Sequence, residues 1–136
     1  MGRLIAIALC CVLLLSACGG KREPGVVVDG QRLAVVDLHL HTGTFEMTPP
    51  RFQARIAERI PRGFKWSMGF LMDRWLSGSG ILGHLDDGGV SAGGVFALYA
   101  PHTTGIATNE FVAEQIAVDP SRLFGLASIR VDRWTV

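Results

Sequence analysis

The sequence predicts an α/β fold built around a parallel sheet. Segments with strand character alternate with segments of helical character, in the order strand, helix, strand, helix, strand. The later strand segments, 90–99 and 123–129, are nearly continuous apolar runs, which is typical of parallel strands covered on both faces. The chain has 136 residues, which is enough for one ordinary domain.

Composition narrows the function classes. Hydrophobic residues make up 49% of the chain and charged residues 18%, so the protein is not a disordered tail. Its 13 basic residues are balanced by 12 acidic ones, giving a formal net charge of +1. We therefore expect no nucleic-acid partner, because such binding depends on an excess of positive charge.

The N-terminal segment has the features of a bacterial export signal. Arg3 is followed by an apolar run over 4–15, which is shorter than the roughly 20 apolar residues of a membrane-spanning helix. The run ends in the sequence LSAC, which resembles a lipoprotein lipobox and places the cysteine at Cys18. This resemblance implies that 1–17 is a signal peptide and that Cys18 is lipidated. The alternative is an ordinary secretory signal or a short anchor with an incidental cysteine.

Lipidation implies a location as well as an anchor. Acyl chains at Cys18 would hold the protein on a membrane surface outside the cytoplasm. Gly19, rather than an aspartate, follows the cysteine, which favours the outer membrane or cell surface by analogy with lipoprotein sorting. Residues 18–25 would form a lipidated tether, and 26–136 the folded domain. Cys10 and Cys11 would leave with the signal peptide, so no intramolecular disulfide is expected.

The folded domain begins with a predicted hairpin. The valines at 26–28 and the apolar segment 33–40 flank Asp29-Gly30, a pair that is typical of tight hairpin turns. Apolar residues spaced four apart predict a helix over 51–60. Segment 64–76, rich in Trp and Met, is expected to be partly helical and to form core or the lining of an apolar cleft.

The second half of the domain is predicted from its turn and capping signals. The serine-glycine run 77–80 indicates a loop, and Thr108 or Asn109 can cap a helix. The predicted elements are a short helix over 81–87, a strand over 90–99, a helix from 108 or 109 to about 118, a turn at 119–121 and a strand over 123–129.

Two histidines near the end of the first long strand suggest a metal site. Strand alternation predicts Asp37, His39 and His41 on one face. Imidazoles two residues apart have Cα atoms about 6.5 Å apart and can reach one ion at about 2.0 Å. The pair precedes a glycine-containing loop at the carboxyl end of a strand, which is where α/β barrels place their chemistry. The simpler alternative is a pair of exposed histidines on an edge strand.

The same segment resembles a known family. The sequence VDLHLH at 36–41 resembles the first-strand Asp-x-His-x-His signature of the amidohydrolase superfamily. Segment 85–90 is similar to the family's helix end leading into strand two, and 109–129 to its second helix and third strand. The resemblance implies the N-terminal part, about three strands, of a (β/α)8 TIM barrel, preceded by the signal peptide and hairpin. Such a barrel takes about 250 residues, so 26–136 would be a truncated domain.

The resemblance also implies a reaction and its residues. His39 and His41 match the first-strand metal ligands, and Asp37 matches an acid that supports the strand end. The family's divalent metal, usually zinc, activates water to attack a C–N or C–O bond of a small-molecule substrate. The other ligands and the catalytic base would lie beyond residue 136, so this chain alone is expected to be inactive.

Other interpretations remain open at this point. The family branch includes nonoxidative decarboxylases, and segment 89–96 with Tyr99 is loosely similar to membrane dipeptidases, although His39-Leu40-His41 departs from their His-Asn-Asp order. A different class is a non-catalytic membrane-anchored lipoprotein that oligomerises or binds a partner. His102, in the loop after the second long strand, is a candidate substrate contact, whereas His84 is expected to be a solvated or capping residue.

Overall fold

A computed structural model describes residues 23–129, which form a mixed α/β structure with four α-helices and seven strands. The predicted signal peptide at 1–17, the lipidation site Cys18 and the end of the chain at 130–136 lie outside the described residues. Among the helices of residues 23–129, none is long and apolar enough to cross a membrane.

The elements follow the predicted alternation. The first half contains β1 (Val26–Val28), β2 (Gln31–Leu33), β3 (Val36–His41), α1 (Pro50–Arg59), a 3-10 helix (Arg62–Ser67) and α2 (Met68–Leu76). The second half contains α3 (Gly78–Gly88), β4 (Ala92–Phe96), β5 (Leu98–Ala100), β6 (Gly105–Ala107), α4 (Asn109–Ile116) and β7 (Leu123–Leu126).

A three-stranded parallel sheet organises the domain. Its strand order is β3-β4-β7, and both pairings are parallel, which confirms the predicted parallel sheet. Helices α3 and α4 pack on one face of this sheet through a common core. Buried residues of that core are Ile81, Leu85, Val95, Ala97, Val112 and Leu123. The carboxyl ends of the three strands therefore lie together at one edge, where parallel α/β folds bind ligands.

The N-terminal hairpin is confirmed, but its second strand is shorter than predicted. Asp29 and Gly30 have φ values of 50° and 77°, the left-handed conformation that a tight hairpin turn requires. The strand predicted over 33–40 divides after Leu33, because the chain then leaves β1 and pairs with β4. Val35 lies between the two strands, and its N–H donates to Ser91 Oγ, just before β4, at 3.1 Å.

The predicted loop at 77–80 is instead the first turn of α3. Ser77 caps this helix, because its Oγ accepts from the N–H of Gly80 at 3.1 Å. Tight packing explains the glycines: a Cβ on Gly78 would overlap the backbone carbonyl of Gln115, and one on Gly80 that of Arg74. At these two positions glycine lets another part of the backbone approach closely, although glycine is normally unfavourable in a helix.

The second predicted strand also divides. The chain leaves the parallel sheet after Phe96, and β5 pairs with β6 in an antiparallel hairpin that occupies the predicted loop. The change comes at Ala97, whose N–H donates to the carbonyl of Leu126 at 2.9 Å. In contrast, the predicted cap of α4 is confirmed, since Thr108 Oγ1 accepts from the N–H of Phe111 at 3.2 Å.

Candidate metal centre

The two predicted histidine ligands lie side by side at the carboxyl end of β3. The ring centroids of His39 and His41 are 5.0 Å apart, and the rings are nearly perpendicular at 81°. Phe96 lies against both, with centroid distances of 5.2 Å to His39 and 6.2 Å to His41. Val95, the residue before Phe96 in β4, is buried under the helices. Because successive side chains of a strand point to opposite faces, Phe96 and the imidazoles beside it lie on the face away from the helices.

A bulge in β3 places these rings. Asp37 is level with Gly93 while Leu40 is level with Val95, so β3 uses one more residue than β4 over this step. The Asp37 carboxylate accepts the N–H of His39 at 2.8 Å, a local turn that takes up the extra residue.

The bulge corrects one prediction about the site. Strand alternation placed Asp37 on the same face as the two histidines, and that prediction is wrong. The register aligns Asp37 with Gly93, whose missing Cβ would point at Leu40 and Leu85 on the helix-covered face. The observed contact of Asp37 is with the backbone of the strand end.

Partial burial and a neighbouring charge make His41 less basic than an ordinary histidine. Its pKa lies below the ordinary value, mainly because partial burial disfavours the protonated ring and also because protonated His39 repels a second positive charge. A lowered pKa keeps imidazole neutral over more of the pH range. Neutral imidazole is the form that binds metal.

Removing the neighbouring ring tests this account of His41. We expect His39→Ala to raise the pKa of His41, because the repulsion disappears, while burial still holds it below its ordinary value. An NMR titration of the His41 ring measures the change. The control His84→Ala alters an exposed histidine on α3 and should leave this pKa unchanged. An unchanged or lower pKa in His39→Ala would contradict the proposed electrostatic coupling.

The donor set fits part of a zinc site. Zinc takes four ligands, and two imidazoles bound to one tetrahedral ion have ring centres about 5 Å apart, which matches the observed pair. Within residues 23–129, no three His, Cys, Asp or Glu side chains gather in an arrangement that could hold a metal. His39 and His41 therefore fit as two ligands, and further ligands would have to come from elsewhere.

The other histidines stand apart from this pair. His102 lies exposed in the turn between β5 and β6, and His84 is exposed on α3. Neither lines the cavity described next. The predicted role of His102 as a substrate contact stays a prediction.

An apolar cavity opens beside His41. Its volume is about 530 Å³, and it lies between the loop after β3, helices α1 and α2, and the β5–β6 hairpin. Its apolar walls include Met47, Phe52, Ile56, Met72, Trp75 and Ile106. The Trp and Met content of 64–76 predicted core or cleft lining. Met72 is buried and lines the cavity, and Trp75 lines it although it is 53% exposed. Trp66 and Phe70 are exposed and lie outside the cavity.

Hydrogen bonds attach the loop after β3 to its surroundings. Thr42 Oγ1 donates to the carbonyl of Leu76 at 2.7 Å, and the N–H of Phe45 donates to Asp73 Oδ1 at 2.6 Å. The N–H of Ile106 donates to the carbonyl of Met47 at 3.3 Å. The loop is thereby tied to α2 on one side and to β6 on the other. No sequence motif predicted these contacts of the loop.

Comparisons with family models, curated proteins and solved structures returned no match to this chain. The amidohydrolase resemblance therefore stays a prediction based on the residues of 36–41, 85–90 and 109–129. The (β/α)8 barrel also stays a prediction, since three parallel strands are compatible with several α/β folds.

Proposed function

We propose that this chain is the N-terminal part of a metal-dependent hydrolase of the amidohydrolase type. The observation that carries the proposal is the pair of imidazoles, 5.0 Å apart, at the carboxyl end of the first parallel strand. In barrels built from such strands, this edge holds the chemistry. The proposal takes His39 and His41 as two ligands of a divalent ion, with zinc favoured by the nitrogen donors.

The residues around the pair have supporting roles in this proposal. Phe96 packs against both rings, with its centroid 5.2 Å from that of His39 and 6.2 Å from that of His41, and would limit their rotation. Asp37 holds the bulge through the N–H of His39 and acts as a positioning residue. A bound zinc ion would supply an activated water and polarise a carbonyl group.

The remaining parts of the machinery lie outside the histidine pair. Within residues 23–129, no third metal-binding side chain lies with the two histidines. We therefore propose that the other ligands and the catalytic base come from outside these residues. This part alone is then expected to bind metal weakly and to be inactive. A related decarboxylase would use the same two ligands, so the bond that is cleaved stays open within the proposal. The dipeptidase-like alternative is less well supported, because its His-Asn-Asp order has an acid where this chain has His41.

A second candidate is a non-catalytic lipoprotein with a binding role. The face of the sheet opposite the helices carries exposed apolar side chains, including Val36, Leu38 and Phe124. Such a face favours contact with another chain or with further strands. Both candidates include membrane attachment through Cys18 and an extracytoplasmic location.

Zinc titration of the full chain separates the candidates. We expect one bound equivalent in competition with a chromophoric chelator, because two imidazoles share one ion. His39→Ala and His41→Ala should each weaken zinc binding by about tenfold or more, since each removes a direct ligand. Even the loss of a residue that only hydrogen-bonds to a metal ligand typically weakens binding by about 10–100-fold. The matched control His84→Ala should leave affinity unchanged. Equal affinity in all four proteins would reject the metal site and favour the binding candidate.

A further inference from the structure

We infer that the cavity beside His41 binds an uncharged apolar group, an alkyl chain or a neutral ring, that belongs to the substrate. Identifying the occupant as part of the substrate rests on the proposed function. The binding itself does not, because it depends on the cavity walls and not on a metal.

The size of the cavity fits a small-molecule group. Its volume of about 530 Å³ falls within the 300–1,000 Å³ typical of ligand sites. Met47 and Met72 contribute flexible thioether side chains, which adapt to ligands of different shape. Phe52 and Trp75 contribute flat aromatic surfaces. These walls can enclose either a chain or a ring.

The chemistry of the walls excludes an ionised group. No Asp, Glu, Lys or Arg is among the described residues that line the cavity, and His41 is the one titratable group there. Thr42, Thr44, Thr48 and Thr104 also line it. The hydroxyls of Thr42 and Thr48 already donate to the carbonyls of Leu76 and Phe45, and that of Thr44 accepts from the N–H of Met47. A charged ligand group would lose its hydration without gaining a counter-ion, which is strongly unfavourable.

The position of His41 gives the ligand a direction. His41 belongs both to the cavity lining and to the histidine pair. A ligand whose apolar part fills the cavity therefore presents its polar end toward His39 and His41. Under the proposed function, this arrangement would place a C–N or C–O bond next to the metal ligands.

Methionine methyl NMR on the full chain in detergent micelles provides a local readout. The probe is hexanamide, a neutral amide with an alkyl chain, with its free concentration measured in a dialysate and a chelator present. We expect the labelled methyls of Met47 and Met72 to shift in a saturable way. Met68 is the internal control, because it is buried in α2 but does not line the cavity. Shifts at Met68 alone, or at neither lining methionine, would overturn the inference.

A series of ligands tests the chemistry of the site. From butanamide to heptanamide, affinity should rise about fourfold per added methylene, the value expected for burying one CH₂ group. Hexanoate at neutral pH should bind at least tenfold more weakly than hexanamide. Benzamide shows whether a ring binds as well as a chain. An affinity independent of chain length, or equal binding of hexanoate, would contradict an apolar site.

Matched variants on one helix locate the site. Ile56→Asp puts a carboxylate into the lining and should weaken hexanamide binding at least tenfold, whereas Ala54→Asp adds the same charge at an exposed position of α1 and should not. Equal effects would reject this cavity. If Ile56→Asp does not fold, the ligand series on the unaltered chain still decides the question. Hexanamide binding without zinc binding would overturn the proposed function alone, and zinc binding without hexanamide binding would overturn this inference alone.

Discussion

Replacing Leu85 by alanine is expected to destabilise the protein by about 3 kcal/mol, within the range for leucine truncation in a packed core. Leu85 is only 3% exposed and belongs to the core between α3 and the sheet. On the strand below it stands Gly93, which has no side chain to fill the space that alanine would leave. Urea unfolding monitored by circular dichroism measures the loss.

The same substitution at an exposed leucine provides the control. Leu38 is 59% exposed on the uncovered face of the sheet. Leu38→Ala should cost under about 1 kcal/mol, because folding buries little of the apolar surface of this side chain. Similar losses in the two variants would show that α3 does not pack against the sheet as described.

Arg122→Met is expected to cost about 2–3 kcal/mol, although the side chain lies near the surface. Its guanidinium donates to Asp86 Oδ1 at 2.6 Å and to the carbonyls of Ser91 and Val90 at 3.0 and 2.9 Å. These bonds join the end of α3, the connection to β4 and the residue before β7. Methionine keeps the aliphatic length but no donor. A hydrogen bond to a charged group contributes about 1.5–3 kcal/mol, and because solvent reaches this site the three bonds together are expected to contribute no more than about the upper value.

Two controls separate the carbonyl bonds from the ion pair. Asp86 is 48% exposed, so solvent screens its charge, and Asp86→Asn should lose under about 1 kcal/mol. Arg55→Met removes an exposed arginine of α1 and should be neutral within about 0.5 kcal/mol. Thermal unfolding of the three variants gives the comparison. If Asp86→Asn were as damaging as Arg122→Met, the ion pair would be the main interaction.

Several elements followed from local chemistry. Asp29-Gly30 forms the predicted turn because its residues tolerate positive φ, and Thr108 caps α4 because its hydroxyl reaches the free N–H of Phe111 three residues ahead. Signals of this kind act over a few residues and do not depend on distant packing. The structure therefore confirms the predictions that were based on them.

The predictions that failed depended on contacts between distant segments. The glycines at the start of α3 indicated a loop, yet Gly78 lies in the first turn of the helix, and it is glycine because α4 approaches it too closely for a side chain. Asp86, near the end of α3, receives a hydrogen bond from Arg122, which lies 36 residues later in the chain. No local pattern encodes such pairings.

The candidate site shows the same division. The sequence by itself determined that two imidazoles stand on one strand two residues apart, because backbone geometry sets that spacing. Tertiary structure decided the bulge that turns Asp37 away, the contact with Phe96 and the apolar cavity. The walls of that cavity come from segments as distant as Met47 and Ile106, so they exist only once the chain has packed.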